Sequence, residues 1–143
     1  KLEYVTADNG RAMPVVIHRA VLGSLERFLG ILIEHTAGAL PFWCAPIQGR
    51  FVPISDSHVP FCKEAAASLK ALGLRVDVDD SNNSMGFKTR EAQIQKIPFM
   101  LAVGDRELEA KAFSVRKYGE KTSVNMSAEE VTKLFQRLNE PLR

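Results

Sequence analysis

The 143-residue sequence contains only two cysteines and no long apolar run, and each shortage excludes a class of protein. Cys44 and Cys62 stand far apart without a Cys-x-x-Cys pair, which fits neither a zinc knuckle nor a disulfide framework. We therefore predict two reduced, mostly buried thiols of a cytosolic protein. No apolar run approaches the roughly 18 residues that a membrane-spanning helix needs. The opening residues, KLEYVTADNG, lack the apolar core of a secretory signal.

The sequence also lacks a strong excess of positive or negative charge. The formal net charge is +2 at pH 7, which neither requires nor excludes nucleic acid, because a local patch matters more than the total. The charges are unevenly placed, since residues 81–121 are basic and follow an acidic cluster at Asp77, Asp79 and Asp80. Hydrophobic residues make up 45% and charged residues 25%, which is typical of a globular domain of ordinary size.

The first part of the chain changes its apolar spacing near Ala20. Two apolar runs flank an Asn-Gly pair, which predicts a hairpin with strands at about 2–7 and 13–18. From Ala20 to His35 the apolar residues recur at spacings of three and four, which predicts a helix. The apolar stripe is wide, so we expect most of this helix to be buried and to end near Gly38.

Predicted strands and helices alternate in the rest of the chain, after two prolines in GALPFWCAP that mark a change of element. We place a domain boundary here, between residues 43 and 44. Strands are predicted in the segments IQGRFVPI, LRVDVDD, PFMLAVG, KAFSVRKYG and KTSVNM. Helices are predicted in SDSHVPFCKEAAASLKALG, MGFKTREAQIQKI and SAEEVTKLFQRLNE, the last opening with a capping box of Ser127 and Glu130. This alternation predicts an open α/β sheet.

Two stretches resemble one family of enzymes. The segment PVVIHRAVLGSLERFLGILIEH resembles the third signature motif of class II aminoacyl-tRNA synthetases, in the form found in threonyl-tRNA synthetases. The segment SNNSMGFKTREAQIQKIPFMLAVGDRELE resembles the anticodon-binding domain of the same enzymes. The resemblance implies that residues 1–43 are the C-terminal tail of the catalytic domain, with a β-hairpin and a helix. Residues 44–143 would be the anticodon-binding domain, with a mixed sheet of about five strands and three helices.

The resemblance assigns three residues of the first motif to a catalytic site. Arg27 would bind ATP, and its planar guanidinium suits both stacking on adenine and bonding to a phosphate. His18 would be one of three ligands of a zinc ion that holds threonine, but no other histidine or cysteine of this chain matches the remaining ligands. Ser24 would lie near the same pocket. The alternatives are a solvated arginine, a structural histidine and a small residue in the first helical turn.

The second motif supplies candidate contacts to the anticodon. By resemblance these are Asn82, Glu107 and Arg116. Arginine can donate two parallel hydrogen bonds to guanine, a carboxylate can accept from a base edge, and an amide can do both. The alternative is that Asn82 only makes a turn and that the other two are exposed strand residues, paired with neighbours.

Three cations are further candidates for contacts to RNA. Arg106 is placed at the anticodon, and Lys88 and Arg90 at the tRNA backbone, although Arg90 could equally pair with a local acid. Ser84 departs from the family, because many relatives carry lysine there. We expect this loss of a cation to weaken or redistribute the affinity for tRNA.

These expectations combine in one function. The full-length enzyme would be a cytoplasmic homodimer that activates threonine with ATP and Mg²⁺, uses zinc, and attaches threonine to tRNA(Thr). This chain would mainly recognise the anticodon, and we expect it to carry out no aminoacylation alone. One alternative is a non-catalytic nucleic-acid-binding accessory module derived from a synthetase, against which the intact HRAVLGSLERF argues. Another is an α/β interaction domain without any RNA role.

Overall fold

The computed structural model describes residues 2–140, which form two compact units that divide between Ile31 and Leu32. The domain boundary between residues 43 and 44 remains a prediction. Phe42, which precedes it, is 8% exposed and belongs to the hydrophobic core of the second unit. No helix in the described range is long and apolar enough to cross a membrane.

The hairpin of the first unit is shorter than predicted. It consists of β1 (Tyr4–Val5) and β2 (Arg11–Ala12), which pair antiparallel. The prediction of a strand at 13–18 is wrong, because these residues have no regular secondary structure. Pro14 has no N–H to donate to a strand ladder, so the pairing ends before it.

The helix α1 (Leu25–His35) confirms the predicted helix but begins at Leu25 rather than near Ala20. Its end follows the prediction: the Gly38 N–H donates to the Ile33 carbonyl at 2.8 Å, and Gly38 has a φ of +78°, which suits glycine. The prediction that most of this helix is buried is wrong, since no residue of α1 is buried. An apolar stripe is buried only where another apolar surface covers it, and spacing alone does not supply that surface.

The second unit contains a five-stranded mixed sheet, which confirms the predicted fold class. Its strands are β3 (Gly49–Pro53), β4 (Val76–Val78), β5 (Phe99–Val103), β6 (Ala112–Lys117) and β7 (Val124–Ser127). Their spatial order is β4-β3-β5-β6-β7. The strand β3 is parallel to both of its neighbours, whereas β6 is antiparallel to both of its own.

Four α-helices of the described residues accompany this sheet. They are α2 (Val59–Ala71), α3 (Met85–Ile94), α4 (Asp105–Ala110) and α5 (Ala128–Asn139). Three of them match the predicted helices, whereas α4 is an addition that is too short to show a helical period in its sequence. The capping box predicted for α5 is confirmed: the Ser127 N–H donates to Glu130 Oε2 at 2.8 Å, and the Glu130 N–H donates to Ser127 Oγ at 3.3 Å.

The main hydrophobic core lies on one face of the sheet, under α2 and α5. Phe51, Phe113 and Phe135 are among its fully buried side chains. The rings of Phe51 and Phe113 meet edge to face with centroids 5.3 Å apart. Gly49 has to lack a side chain here, because a Cβ atom would lie 2.9 Å from the ring of Phe135. The close contact between β3 and α5 therefore depends on this glycine.

The opposite face of the sheet is only partly covered. Ala92 of α3 and Met100 of β5 belong to a small cluster beneath α3. Met100 pairs directly with Arg116, and Ser114 pairs directly with Asn125. Residues opposite each other in an antiparallel pair point to the same face. Arg116 and Ser114 are half-buried and Asn125 is exposed, so this face is open at β6 and β7.

Both cysteines are free thiols, as predicted. Cys62 is buried in the main core, and burial raises the pKa of its thiol to about 11. It therefore stays protonated at neutral pH and packs as a small apolar side chain. Cys44 is half-buried.

Candidate nucleic-acid interface

The three candidates of the first motif do not form a site within the first unit. His18 lies exposed in a segment without regular structure, and Arg27 lies exposed in the first turn of α1. Ser24 serves as a helix cap: its carbonyl accepts the Phe28 N–H, and its hydroxyl donates to the Glu26 carboxylate at 2.7 Å, which lowers the pKa of Glu26. Residues 2–140 contain no group of three histidine, cysteine or acidic side chains that could hold a metal ion. The described residues therefore do not build a zinc site around His18.

The second unit brings three loops to one edge of its sheet. Because β4, β3 and β5 are parallel, the loops that follow them all begin at the same edge. In open α/β sheets this is the edge at which ligands usually bind. The loop after β4 carries Asn82, and the helix α4 after β5 carries Arg106 and Glu107. Three of the predicted anticodon residues therefore follow strands that end at one edge.

The loop that carries Asn82 is organised by its neighbours. Asp79 Oδ1 accepts hydrogen bonds from the Ser81 N–H at 3.2 Å and from the Ser81 hydroxyl at 2.6 Å. The Asn83 amide donates to Ser81 Oγ at 3.1 Å. Asn82 is exposed and takes no part in these three bonds. The loop is thus fixed while the amide of Asn82 is left to face solvent.

Ser84 ends this loop and begins α3. Its hydroxyl oxygen accepts a hydrogen bond from the Phe87 N–H at 3.4 Å, and its carbonyl accepts one from the Lys88 N–H at 3.0 Å. Serine is a favoured residue at this position of a helix, whereas lysine is not. The structure therefore gives Ser84 a local role as the cap of α3.

Glu107 has a structural contact of its own. It lies in α4 rather than in a strand, and it is half-buried. Its Oε2 atom accepts a hydrogen bond from the Gly104 N–H at 3.0 Å, which caps the helix at its start. A carboxylate has further lone pairs, so this bond leaves Glu107 able to accept another hydrogen bond from a base edge.

Arg116 is the arginine of the open sheet face that has no carboxylate partner among residues 2–140. Its Nη2 atom lies 3.8 Å from the Met100 sulfur, which is a weak contact. Arg50, on the same face, is paired with a carboxylate, because it binds Asp77 with two nitrogens at 2.9 and 2.6 Å. That hydrogen bond is the main reason why the pKa of Arg50 is raised. Of these two arginines, Arg116 is the one whose charge no carboxylate of the described residues neutralises.

Arg116 stands some way from the edge that carries Asn82. Its partner Met100 is three residues before Val103, the last residue of β5, which corresponds to about 10 Å along the strand. The predicted anticodon residues therefore do not converge on one point. Asn82, Arg106 and Glu107 follow strands that end at the carboxyl edge of the sheet, whereas Arg116 lies on the open sheet face.

The three additional cations differ in their exposure. Arg90 and Arg106 are exposed, and no ion pair of the described residues involves either of them. Lys88, by contrast, is only 5% exposed, and its contact to the tRNA backbone stays a prediction. Its ammonium group donates to the Pro53 carbonyl at 3.3 Å and to the Asp79 carbonyl at 3.0 Å. Lys88 is thus a buried cation rather than a surface one.

Two features of this region were not predicted from the sequence. His58 is 2% exposed, and its Nε2 atom lies 2.9 Å from Asp105 Oδ1, which joins the start of α2 to the start of α4. Nothing in the local sequence pairs residues that are so far apart. Asn125 lies on the open face beside Ser114. The alternation in KTSVNM could have indicated this, because it sets Asn125 on the opposite face from Val124 and Met126.

Comparison with known proteins identifies the second unit. A family model described as an anticodon binding domain matches residues 48–138. The chain belongs to this family. The chain is 46% identical over 143 residues to the threonine–tRNA ligase of Solidesulfovibrio magneticus, covering 99% of this chain and 22% of that protein. It is 48% identical over 118 residues to threonine–tRNA ligase 2 of Bacillus subtilis, covering 82% of this chain and 18% of that protein.

A solved structure agrees with these relatives. The RNA binding domain of threonyl-tRNA synthetase from Cryptosporidium parvum superposes with a TM-score of 0.81 and 32% identity, covering 98% of this chain and 36% of that chain. The resemblance to threonyl-tRNA synthetases that the two motifs predicted is thereby confirmed. The chain spans about a fifth of the length of the curated relatives it matches.

Proposed function

We propose that this chain recognises the anticodon loop of tRNA(Thr) as part of a threonine–tRNA ligase. The observation that carries the proposal is the placement of two polar groups: the exposed amide of Asn82 follows β4 at the carboxyl edge of the sheet, and the guanidinium of Arg116, which has no carboxylate partner in the described range, lies on the open sheet face. Specific RNA recognition usually targets unstacked bases in loops, which are read through their edges. An anticodon loop presents such bases.

Each residue would have a definite chemical role. Arg116 would donate two parallel hydrogen bonds to a guanine, and Asn82 would donate and accept at a neighbouring base. Glu107 would accept from an amino or imino group with the lone pairs that the Gly104 N–H leaves free. Arg90 and Arg106 would contact the RNA as surface cations, with Arg106 nearer to the anticodon.

We propose the catalytic function only for the whole enzyme. That enzyme would work in the cytoplasm as a homodimer, activate threonine with ATP and Mg²⁺, and use zinc to hold threonine. This chain would contribute Arg27 toward ATP, Ser24 toward the substrate pocket and His18 as one zinc ligand. The described residues do not complete either site by themselves.

Binding of an anticodon stem-loop tests the proposal. We expect the chain to bind the stem-loop of tRNA(Thr) more tightly than one with a changed anticodon, measured by fluorescence anisotropy. Arg116→Ala should weaken binding by about 1–3 kcal/mol and reduce the preference between the two loops, because a bidentate contact to a base is lost. Arg137→Ala is the matched control, since Arg137 is exposed on α5, which covers the other face of the sheet.

The alternatives give different results in the same titration. Equal binding of unrelated loops would favour a non-catalytic nucleic-acid-binding accessory module, and no binding would contradict an RNA role. We also expect the chain alone to support no threonine-dependent exchange of pyrophosphate into ATP. Clear exchange activity would show that the catalytic proposal is wrong.

A further inference from the structure

The buried Lys88 joins the ends of two neighbouring strands. Its ammonium group binds the carbonyl of Pro53, the last residue of β3, and the carbonyl of Asp79, the residue after β4. The backbone of Asp79 is also held to β3, because its N–H donates to the Phe51 carbonyl at 2.9 Å. The position at which the chain leaves β4 and enters the Asn82 loop is therefore fixed from two sides.

Burial of an ammonium group is energetically unfavourable compared with burial of an apolar side chain. Transfer of a charged amine from water into a protein interior is unfavourable, and lysine is among the residues least often buried. The two partners of Lys88 are neutral carbonyls, so no direct ion pair offsets the cost. A leucine or methionine would pack at this position of α3 without that cost. The charge of Lys88 therefore calls for an explanation other than packing.

The loop above Lys88 supplies that explanation. Residues 79–84 contain no helix or strand, yet they carry Asn82. Asp79 organises the hydrogen bonds of this loop, because its side chain accepts both hydrogen bonds from Ser81. Lys88 holds the same residue through its carbonyl. One cleft of about 260 Å³ lies at this loop. It is lined by Asn82, by Lys88 and by Ser55 of the preceding loop.

We propose that Lys88 is a positioning residue for anticodon reading: it fixes Asp79 and thereby sets the place of Asn82, and it does not contact the tRNA backbone. This inference rests on the proposed function. The burial of Lys88 and the use of two of its three N–H donors on carbonyls separate it from the exposed cations Arg90 and Arg106.

The substitution Lys88→Met tests this role, because methionine has a similar length and no charge. We expect about a tenfold loss of affinity for the tRNA(Thr) anticodon stem-loop, the size of one well-placed hydrogen bond to a base. The loss should vanish when Asn82→Ala is already present, since Lys88 acts through Asn82. It should persist in full beside Arg116→Ala, because distant independent sites add.

The salt dependence separates positioning from a phosphate contact. Removal of a lysine that binds a phosphate lowers the slope of log affinity against log salt by about one. We expect Lys88→Met to leave this slope unchanged, whereas the surface variant Arg90→Ala should lower it. A lowered slope in Lys88→Met, or an unchanged affinity, would overturn the inference.

Two further comparisons keep the test decisive. If circular dichroism shows that Lys88→Met does not fold, Lys88→Gln replaces it, because its amide can still donate to one of the carbonyls while the charge is lost. If the wild-type chain distinguishes the two loops but the Lys88 variants match it, the inference alone fails. If the wild-type chain binds neither loop, the proposed function fails and this inference fails with it.

Discussion

The two units of this chain differ in how far their apolar side chains are buried. In the first unit Leu25 and Ile31 of α1 are each 58% exposed, whereas in the second unit Phe51 and Leu101 are fully buried. Apolar residues recur with regular spacing in both units. The comparison shows that spacing predicts which face of an element is apolar, but not whether the same chain covers that face. Variants that affect one unit far more than the other test this difference.

The largest difference in stability loss is expected between alanine substitutions of one phenylalanine in each unit. Phe135→Ala should lower the free energy of unfolding by about 3–5 kcal/mol, because a fully buried ring that contacts Phe42 and Phe99 is replaced by a cavity. Phe28→Ala, in α1, should lower it by less than about 1 kcal/mol, because Phe28 is 37% exposed. Urea denaturation followed by circular dichroism measures both. Equal losses would show that the first unit has a core as tightly packed as the second.

The next largest difference concerns two histidines. His58→Ala should cost about 2–3 kcal/mol, because the buried ring bonds Ser55 with one nitrogen and Asp105 with the other, and the substitution leaves a cavity beside unpaired groups. His18→Ala, in the exposed segment of the first unit, should change stability by less than about 0.5 kcal/mol. The same denaturation curves provide the measurement. A large loss for His18 would reveal contacts that its exposure does not suggest.

Prediction from sequence succeeded where the structure depends on local patterns. The five strands, the long helices of the second unit and the capping box of Ser127 and Glu130 follow from spacing and capping rules that act over a few residues. It failed where distant residues meet. The burial of Lys88 depends on carbonyls from two strands, and the pair of His58 with Asp105 depends on the placement of α4.

Some features of the candidate interface could be predicted from the sequence, and others depend on the fold. Chemistry and resemblance named Asn82 and Arg116, because an amide and a guanidinium suit base edges. The alternation in KTSVNM separates Asn125 from Val124 and Met126, and the sheet register then places Asn125 on the same face as Arg116. Whether a cation is free also depends on the fold: the sequence gives no reason to separate Arg50, which binds Asp77, from Arg116, which does not.

The smallest difference is expected for two helix caps. Ser127→Ala should lower the free energy of unfolding by about 1 kcal/mol, because α5 covers the main core and its start loses a capping bond. Ser24→Ala should have a smaller effect on global unfolding, since α1 has no buried residue and its fraying exposes little that was covered. Thermal unfolding monitored by circular dichroism measures both, and a larger effect at Ser24 would contradict the ranking.

The pH dependence of the Ser127→Ala effect sharpens this last prediction. Hydrogen bonds from the Ser127 backbone N–H and hydroxyl lower the pKa of Glu130 from its ordinary value. A carboxylate with a lowered pKa in the folded state contributes stability above its unfolded pKa, and this contribution is lost as the pH falls through the folded pKa. The part of the effect that depends on the hydroxyl bond to Glu130 should therefore be present at pH 7 and disappear in acid. A difference between wild type and variant that stays constant down to pH 2 would assign the whole effect to the bond from the Glu130 N–H to Ser127 Oγ, which does not depend on the charge of that carboxylate.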